Sequence, residues 1–204
     1  RPEAAEQLQR PPAALPEAHA NPIDGWVRAL DLRDRETEGH TQRVMNMTKK
    51  LARALGFSEE EITHIRRGAL LHDMGKMGIP DEILQKPGPL TDDEWVIMRR
   101  HPEMAYQMIS ERKYLKEAII IPYYHHERWD GSGYPHKLKG EDIPLQARMF
   151  AVVDVWDALS SDRPYRKKMP HKEVVEYIKK EAGRLFDPQV VEKFLPLITD
   201  PPET

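Results

Sequence analysis

Apolar residues recur along most of the chain at helical spacing. From Pro22 onward, Ile23, Trp26, Val27 and Leu30 follow the i, i+3, i+4, i+7 stripe of an amphipathic helix. Val44, Met47, Leu51 and Leu55 predict a second helix, with Gly56 as its stop. Ser58 with Glu61 three residues on reads as a capping box, ahead of a helix that carries Ile62, Ile65, Ala69 and Leu70 into His72-Asp73. Gly75 to Pro80 are expected to form a loop. Thr91 and Glu94 make another capping box, before a helix with Trp95, Val96 and Met98; Pro102 fits a helix N1 position, so the chain restarts there. Ala118 to Tyr124 are a short apolar segment ending at His125-His126. Residues 128–143, with Gly131, Gly133, Pro135 and Gly140, predict a long ordered loop. Pro144 to Leu159 read as a buried helix, and amphipathic segments follow around Val174–Ile178 and Val190–Leu195. Strand signals are weak throughout and there is no internal repeat, so the fold class is all-α, a helical bundle. Residues 1–20 hold Pro2, Pro11, Pro12 and Pro16, which forbid a continuous helix; they are expected to be a linker or N-terminal extension to one domain over 21–204.

Composition narrows the chemistry. The 204 residues, 39% hydrophobic and 32% charged, suit one globular domain. A net charge of −3 predicts no broad affinity for nucleic-acid polymers, so an anionic substrate must be held by local positive charge. There is no cysteine, which excludes disulfides, thiolate metal sites and Cys nucleophiles; any metal must be held by His, Asp and Glu. Such ligands suit Mn, Fe or Zn better than thiophilic metals. No apolar run reaches the roughly 20 residues of a membrane span and no secretory leader pattern is present, so a cytoplasmic location is expected. The first residue is Arg1 rather than Met, so the chain is expected to be a fragment of a longer protein.

Nine histidines are spread along the sequence, and five of them (His40, His72, His101, His125 and His126) stand at or near predicted helix ends beside acidic residues. Asp73 adjoins His72, and Asp154 interrupts the apolar run from Val152 to Trp156, where an unpaired carboxylate would be costly to bury. Each piece alone is weak: a lone helical His is more often a core or surface residue, and a His-Asp pair occurs by chance. Seven such groups together need one explanation, and a dinuclear metal site uses about this many ligands.

These residues fall in stretches that resemble the HD-GYP domains, a branch of the HD phosphohydrolase superfamily. The stretches are Gly39-His40-Thr41, Leu71 to Lys76, Gly78 to Asp81, His101, and His125-His126-Glu127-Arg128-Trp129-Asp130-Gly131-Ser132-Gly133-Tyr134-Pro135. Gly140-Glu141, Ile143-Pro144, Ala147-Arg148, Val153-Asp154, Asp157 to Leu159 and Ser161 to Arg166 continue the match, which spans about residues 36–194. The resemblance implies an HD-domain helical bundle with extra helices and a long GYP loop. It implies hydrolysis of cyclic di-GMP to linear pGpG, and onward to GMP, in bacterial second-messenger signalling. The alternatives are a catalytically weak binding and protein-interaction module, or a hydrolase of a mixed cyclic dinucleotide such as cGAMP. The implied metal ligands are His40, His72, Asp73, His101, His125, His126 and Asp154, with Asp73 bridging two ions. Glu36, one turn before His40, would bring in a third ion or be a solvated helix residue. Lys76 would contact the scissile phosphate or protonate the leaving oxygen, and so joins Asp73 as a catalytic residue. Arg163 and Arg166 would bind substrate phosphate through their planar forks. Gly133, Tyr134, Pro135 and Asp157 complete the implied substrate-facing set; Tyr134 would either meet a guanine or fix its own loop, and Asp157 could also orient a ligand. Two or three divalent ions are expected, Fe or Mn ahead of Zn. The implied partners are GGDEF-domain proteins, an N-terminal sensory domain and a second copy of the chain.

Overall fold

The computed structural model describes residues 22–34, 39–162 and 166–199; Glu36, Arg163 and the proline-rich extension lie outside these residues. Among the described residues the structure is all-α, with ten α-helices, three 3-10 turns and one isolated bridge between Ala182 and Phe186. Helix α1 (Pro22–Arg33) buries Ile23, Val27 and Leu30, the stripe expected from the sequence. Helix α2 (His40–Ala54) buries Val44 and Leu51, but Met45 and Thr48 complete its inner face while Met47 is only partly buried. Gly56 ends it with φ of 84°, a left-handed turn that glycine adopts at least cost.

Both capping boxes form. Ser58 accepts from the Glu61 amide and Glu61 reaches back to Ser58 at the start of α3 (Glu59–Leu70). Thr91 and Glu94 do the same for α5 (Asp92–Met98). Each cap is worth about 1 kcal/mol of helix stability. The second helix forms as expected, but none of its residues is fully buried; Trp95 and Val96 are 42% and 64% exposed. The stretch from Gly75 to Pro80 is also more regular than a loop: Met74–Gly78 form a 3-10 turn, followed by the short α4 (Asp81–Leu84). Helices α6 (His101–Ile109, with Pro102 in its first turn) and α7 (Ile120–Tyr124) follow, separated by a 3-10 turn at Lys113–Ile119.

Helix α8 (Leu145–Ser160) is the central pillar; Ala147, Met149, Phe150, Val152 and Val153 are buried along it. It packs against α2 and α7, while α9 (His171–Glu181) and α10 (Pro188–Thr199) close its far side. Fully burying a side chain such as Phe150 or Phe194 contributes roughly 1.5–3 kcal/mol each. The 3-10 turn at Met74–Gly78 lies directly on α6, and this contact needs Gly75: a Cβ there would stand 1.7 Å from the His101 carbonyl oxygen. Arg33, at the end of α1, holds the same turn by donating to the carbonyls of Lys76, Met77 and Ile79. The ends of α3, α5 and α7 and the start of α2 thus face one region beside α8.

Candidate metal centre

The seven expected ligands all arrive in that region. Asp73, His101, His125 and His126 form one group, and His40, His72 and Asp154 a second; within each, the candidate ligand atoms lie within 4.8 Å of one another. Asp73 joins the two: its Oδ2 is 3.1 Å from His72 Nε2, and its Oδ1 is 3.4 Å from His101 Nε2. Asp154, the carboxylate expected to be buried, keeps 24% of its side chain exposed and stands 3.5 Å from His40 Nε2.

Four rings are set in place through Nδ1. His72 Nδ1 donates to the Ala69 carbonyl at 2.8 Å, His101 Nδ1 to that of Met98 at 2.9 Å, and His125 Nδ1 to that of Ile121 at 3.0 Å. The Ala69 and Met98 carbonyls belong to the last turns of α3 and α5, where backbone oxygens lack an intrahelical partner, while that of Ile121 in α7 also accepts from the His125 amide. A carbonyl can only accept, so Nδ1 carries the proton and Nε2 presents its lone pair to the cluster. His40 is fixed from further away, by Asp157 Oδ2 at 2.7 Å. His126 Nε2 lies 3.1 Å from His101 Nε2, and His125 Nε2 is buried without a hydrogen-bond partner among the described residues. Converging nitrogen lone pairs and carboxylates repel one another unless a cation lies between them, so this donor set fits metal ions.

The electrostatics agree. Burial pushes His101 down to about 4, with neighbouring His125 adding to the effect, and burial beside His125 and His101 pushes His126 well below its ordinary value. Both rings are neutral, as ligands must be. Burial alone would raise Asp73, but Lys76 and His72 outweigh it and hold the carboxyl well below the usual range. A pH dependence follows for metal-free protein. The unfolded chain takes up a proton at His101 near 6.5, whereas the folded chain does so only near 4. Stability is therefore present above pH 6.5 and is lost as pH falls toward 4. Thermal melts of chelator-treated protein should show a lower midpoint at pH 5 than at pH 7; equal midpoints would contradict the depressed histidines.

Lys76 sits against the cluster, with Nζ 2.8 Å from Asp73 Oδ2 and 2.8 Å from Asp34 Oδ2. Asp157 is 2% exposed, and Arg43 and His40 occupy both its oxygens. Burial would raise its carboxyl, but those two hydrogen bonds hold it down and ionised. The structure therefore places Asp157 behind His40 rather than facing a substrate, which corrects the substrate contact in favour of the orienting role. Replacing Asp157 with Ala should weaken metal affinity about 10–100-fold, measured by competition against a chelator. Unchanged affinity would show that His40 is oriented by something else.

The loop after His126 is drawn tightly over the centre. A Cβ on Gly133 would meet the Arg128 amide, Glu127 Cα and the His126 carbonyl, each at 2.5 Å. Tyr134 stacks on His126 with ring centroids 4.7 Å apart and 25° between planes, so its ring helps to fix the orientation of that imidazole. Pro135 follows it, and a buried Glu127 accepts from the amides of His136 and Leu138 to anchor the far side of the loop. Arg166 is exposed and donates to the Ala158 carbonyl, one turn beyond Asp154 on α8.

Sequence reasoning missed Glu127, Asp34 and Arg33. A carboxylate inside the run from His125 to Arg128, ahead of two glycines, was a usable signal for Glu127. Arg33 acts on backbone carbonyls, which leave no mark in a sequence.

A helical bundle whose helix ends present histidines and a His-Asp pair to a common centre defines the class. The chain belongs to the HD domain family, whose model matches residues 27–190. It is 45% identical over 171 residues to the cyclic di-GMP phosphodiesterase response regulator RpfG of Xanthomonas campestris pv. campestris (strain 8004), covering 83% of this chain and 45% of that protein. It is 42% identical over 171 residues to the 3′3′-cGAMP-specific phosphodiesterase 2 of Vibrio cholerae serotype O1, covering 83% of this chain and 33% of that one. The chain thus spans less than half the length of these relatives. Among solved structures, Bd1817, an HDGYP protein from Bdellovibrio bacteriovorus, superposes with a TM-score of 0.64 at 20% identity, over 84% of this chain and 56% of that one, which supports the HD fold. No helix among the described residues is long and apolar enough to cross a membrane.

Proposed function

We propose that this chain is a metal-dependent phosphodiesterase domain that hydrolyses cyclic di-GMP to linear pGpG, and onward to GMP. The observation that carries it is the pair of ligand groups joined through Asp73 with an ammonium beside them. Divalent ions held there would supply a water nucleophile at neutral pH and Lewis-acid stabilisation of the phosphoryl oxygens. His40, His72 and Asp154 would hold one ion, and His101, His125 and His126 the other. Glu36 would add a third. Iron and manganese suit this set best, with zinc next.

The residues of the chain do the rest. Phe150 packs under the His72 and His125 rings, at centroid distances of 4.9 and 5.9 Å, and keeps water from beneath the centre. Lys76 holds its ammonium where a scissile phosphate oxygen or the departing 3′ oxygen would need a donor. Arg166, beside the end of α8, and Arg163 would hold substrate phosphate. Gly133 and Pro135 would shape the wall beside it. A GGDEF-domain partner, an N-terminal sensory domain, a homodimer and a cytoplasmic location belong to the same reading and rest on the resemblance.

The 42% identity to a cGAMP-specific enzyme supports a second substrate reading, 3′3′-cGAMP. One experiment decides between them. Protein loaded anaerobically with Fe(II) or Mn(II) is offered each cyclic dinucleotide, and products are separated by chromatography. The expected result is linear dinucleotide from cyclic di-GMP, absent with a His72→Ala variant. Preferential turnover of cGAMP would select the second reading; binding without turnover under every metal would leave an interaction module.

A further inference from the structure

The short helix α5 is built to stay on the surface and yet carries a tryptophan. Its capping box and the Lys86–Glu94 ion pair at 2.6 Å hold it in place, with none of its residues fully buried. The Trp95 ring is left 42% exposed, so a face of it is available to a ligand. Its neighbour Arg99 connects it to the metal centre. The Arg99 guanidinium lies 5.8 Å from the Trp95 ring centroid and 5.7 Å from that of Tyr134. Tyr134 in turn stacks on the ligand His126. Arg99 is exposed and, among the described residues, has no carboxylate partner.

We propose that Trp95 and Arg99 form a base-and-phosphate subsite at the mouth of the metal centre: the indole stacks a purine of the cyclic dinucleotide, and Arg99 takes its second, uncleaved phosphodiester. This rests on the phosphodiesterase reading above. A cyclic dinucleotide has two phosphates and two bases, and one phosphate at the metals leaves the other and a base to be held nearby. An indole face accepts any purine by stacking. A guanidinium flanked by two rings keeps its edge donors for phosphate oxygens.

The test compares kcat and KM for cyclic di-GMP and for bis(p-nitrophenyl) phosphate, a diester with no purine and no second phosphate. Metal-loaded protein is compared with its Trp95→Ala, Trp95→Phe, Arg99→Ala and Arg99→Lys variants. Trp95→Ala and Arg99→Ala should each raise KM for cyclic di-GMP about tenfold while kcat changes little. The ratio of kcat/KM between the two substrates should fall by the same factor. Trp95→Phe should recover most of the loss, and Arg99→Lys part of it. Unchanged KM, or equal losses on both substrates, would overturn the subsite. A parent protein that cleaves the small diester but no cyclic dinucleotide would instead overturn the substrate reading on which the subsite stands.

Discussion

An Asp73→Asn variant is expected to fold and to lose about 10³-fold or more in turnover, together with most of its bound metal. The replacement keeps the shape but removes the carboxylate that, among the described residues, touches both ligand groups. Asp73 stands within 3.1 Å of His72 and 3.4 Å of His101, and 2.8 Å from the Lys76 ammonium. Without its charge the two sets of imidazoles lose the anion between them, and Lys76 loses a partner while its pairing with Asp34 remains. A thousandfold loss corresponds to about 4 kcal/mol of transition-state stabilisation, more than any single peripheral contact supplies. Metal analysis and steady-state kinetics on the same preparation check it. Retention of metal and of turnover within tenfold would mean that the two groups work independently.

A Gly75→Ala variant should be destabilised by about 3 kcal/mol, seen as a drop of roughly 6–12 °C in melting midpoint. The added methyl would meet the His101 carbonyl oxygen at 1.7 Å and the Ala105 amide nitrogen at 2.7 Å. Both are backbone atoms of α6, so no rotamer change relieves the contact; the 3-10 turn and the helix must part. His101 starts that helix and Asp73 precedes that turn, so metal affinity should fall with stability. A midpoint within a degree or two of the parent would show that the turn can slide without cost.

Local features were legible in the sequence because their causes are local. Ser58 with Glu61 and Thr91 with Glu94 form their caps as their spacing requires, and Gly56 stops α2 where a left-handed residue is needed. The ligand set was legible for a different reason. His40 and Asp154 lie far apart in the chain, and no periodicity joins them; the resemblance to HD-GYP domains did. The errors share a cause. The apolar residues of α5 cannot say how deeply another element covers them, and Trp95 and Val96 stay exposed. Glycines at 75 and 78 read as a loop, whereas contact with α6, itself remote in sequence, shapes a regular turn. Asp157 looked like a substrate contact until its two partners, His40 and Arg43, were seen to occupy it.

The anchoring of His72, His101 and His125 has a consequence for how this centre can vary. Each ring takes its bearing from a carbonyl three or four residues earlier, at the tip of its own preceding helix. A ligand and its orienting group therefore travel as one piece, and the centre is assembled simply by bringing those tips together. Substitutions in the surrounding lip can exchange one recognition surface for another while the donor atoms keep their aim. Under the proposed phosphodiesterase reading, such modularity would let one hydrolytic core serve substrates that differ in a base, with the divergence confined to whatever frames the opening.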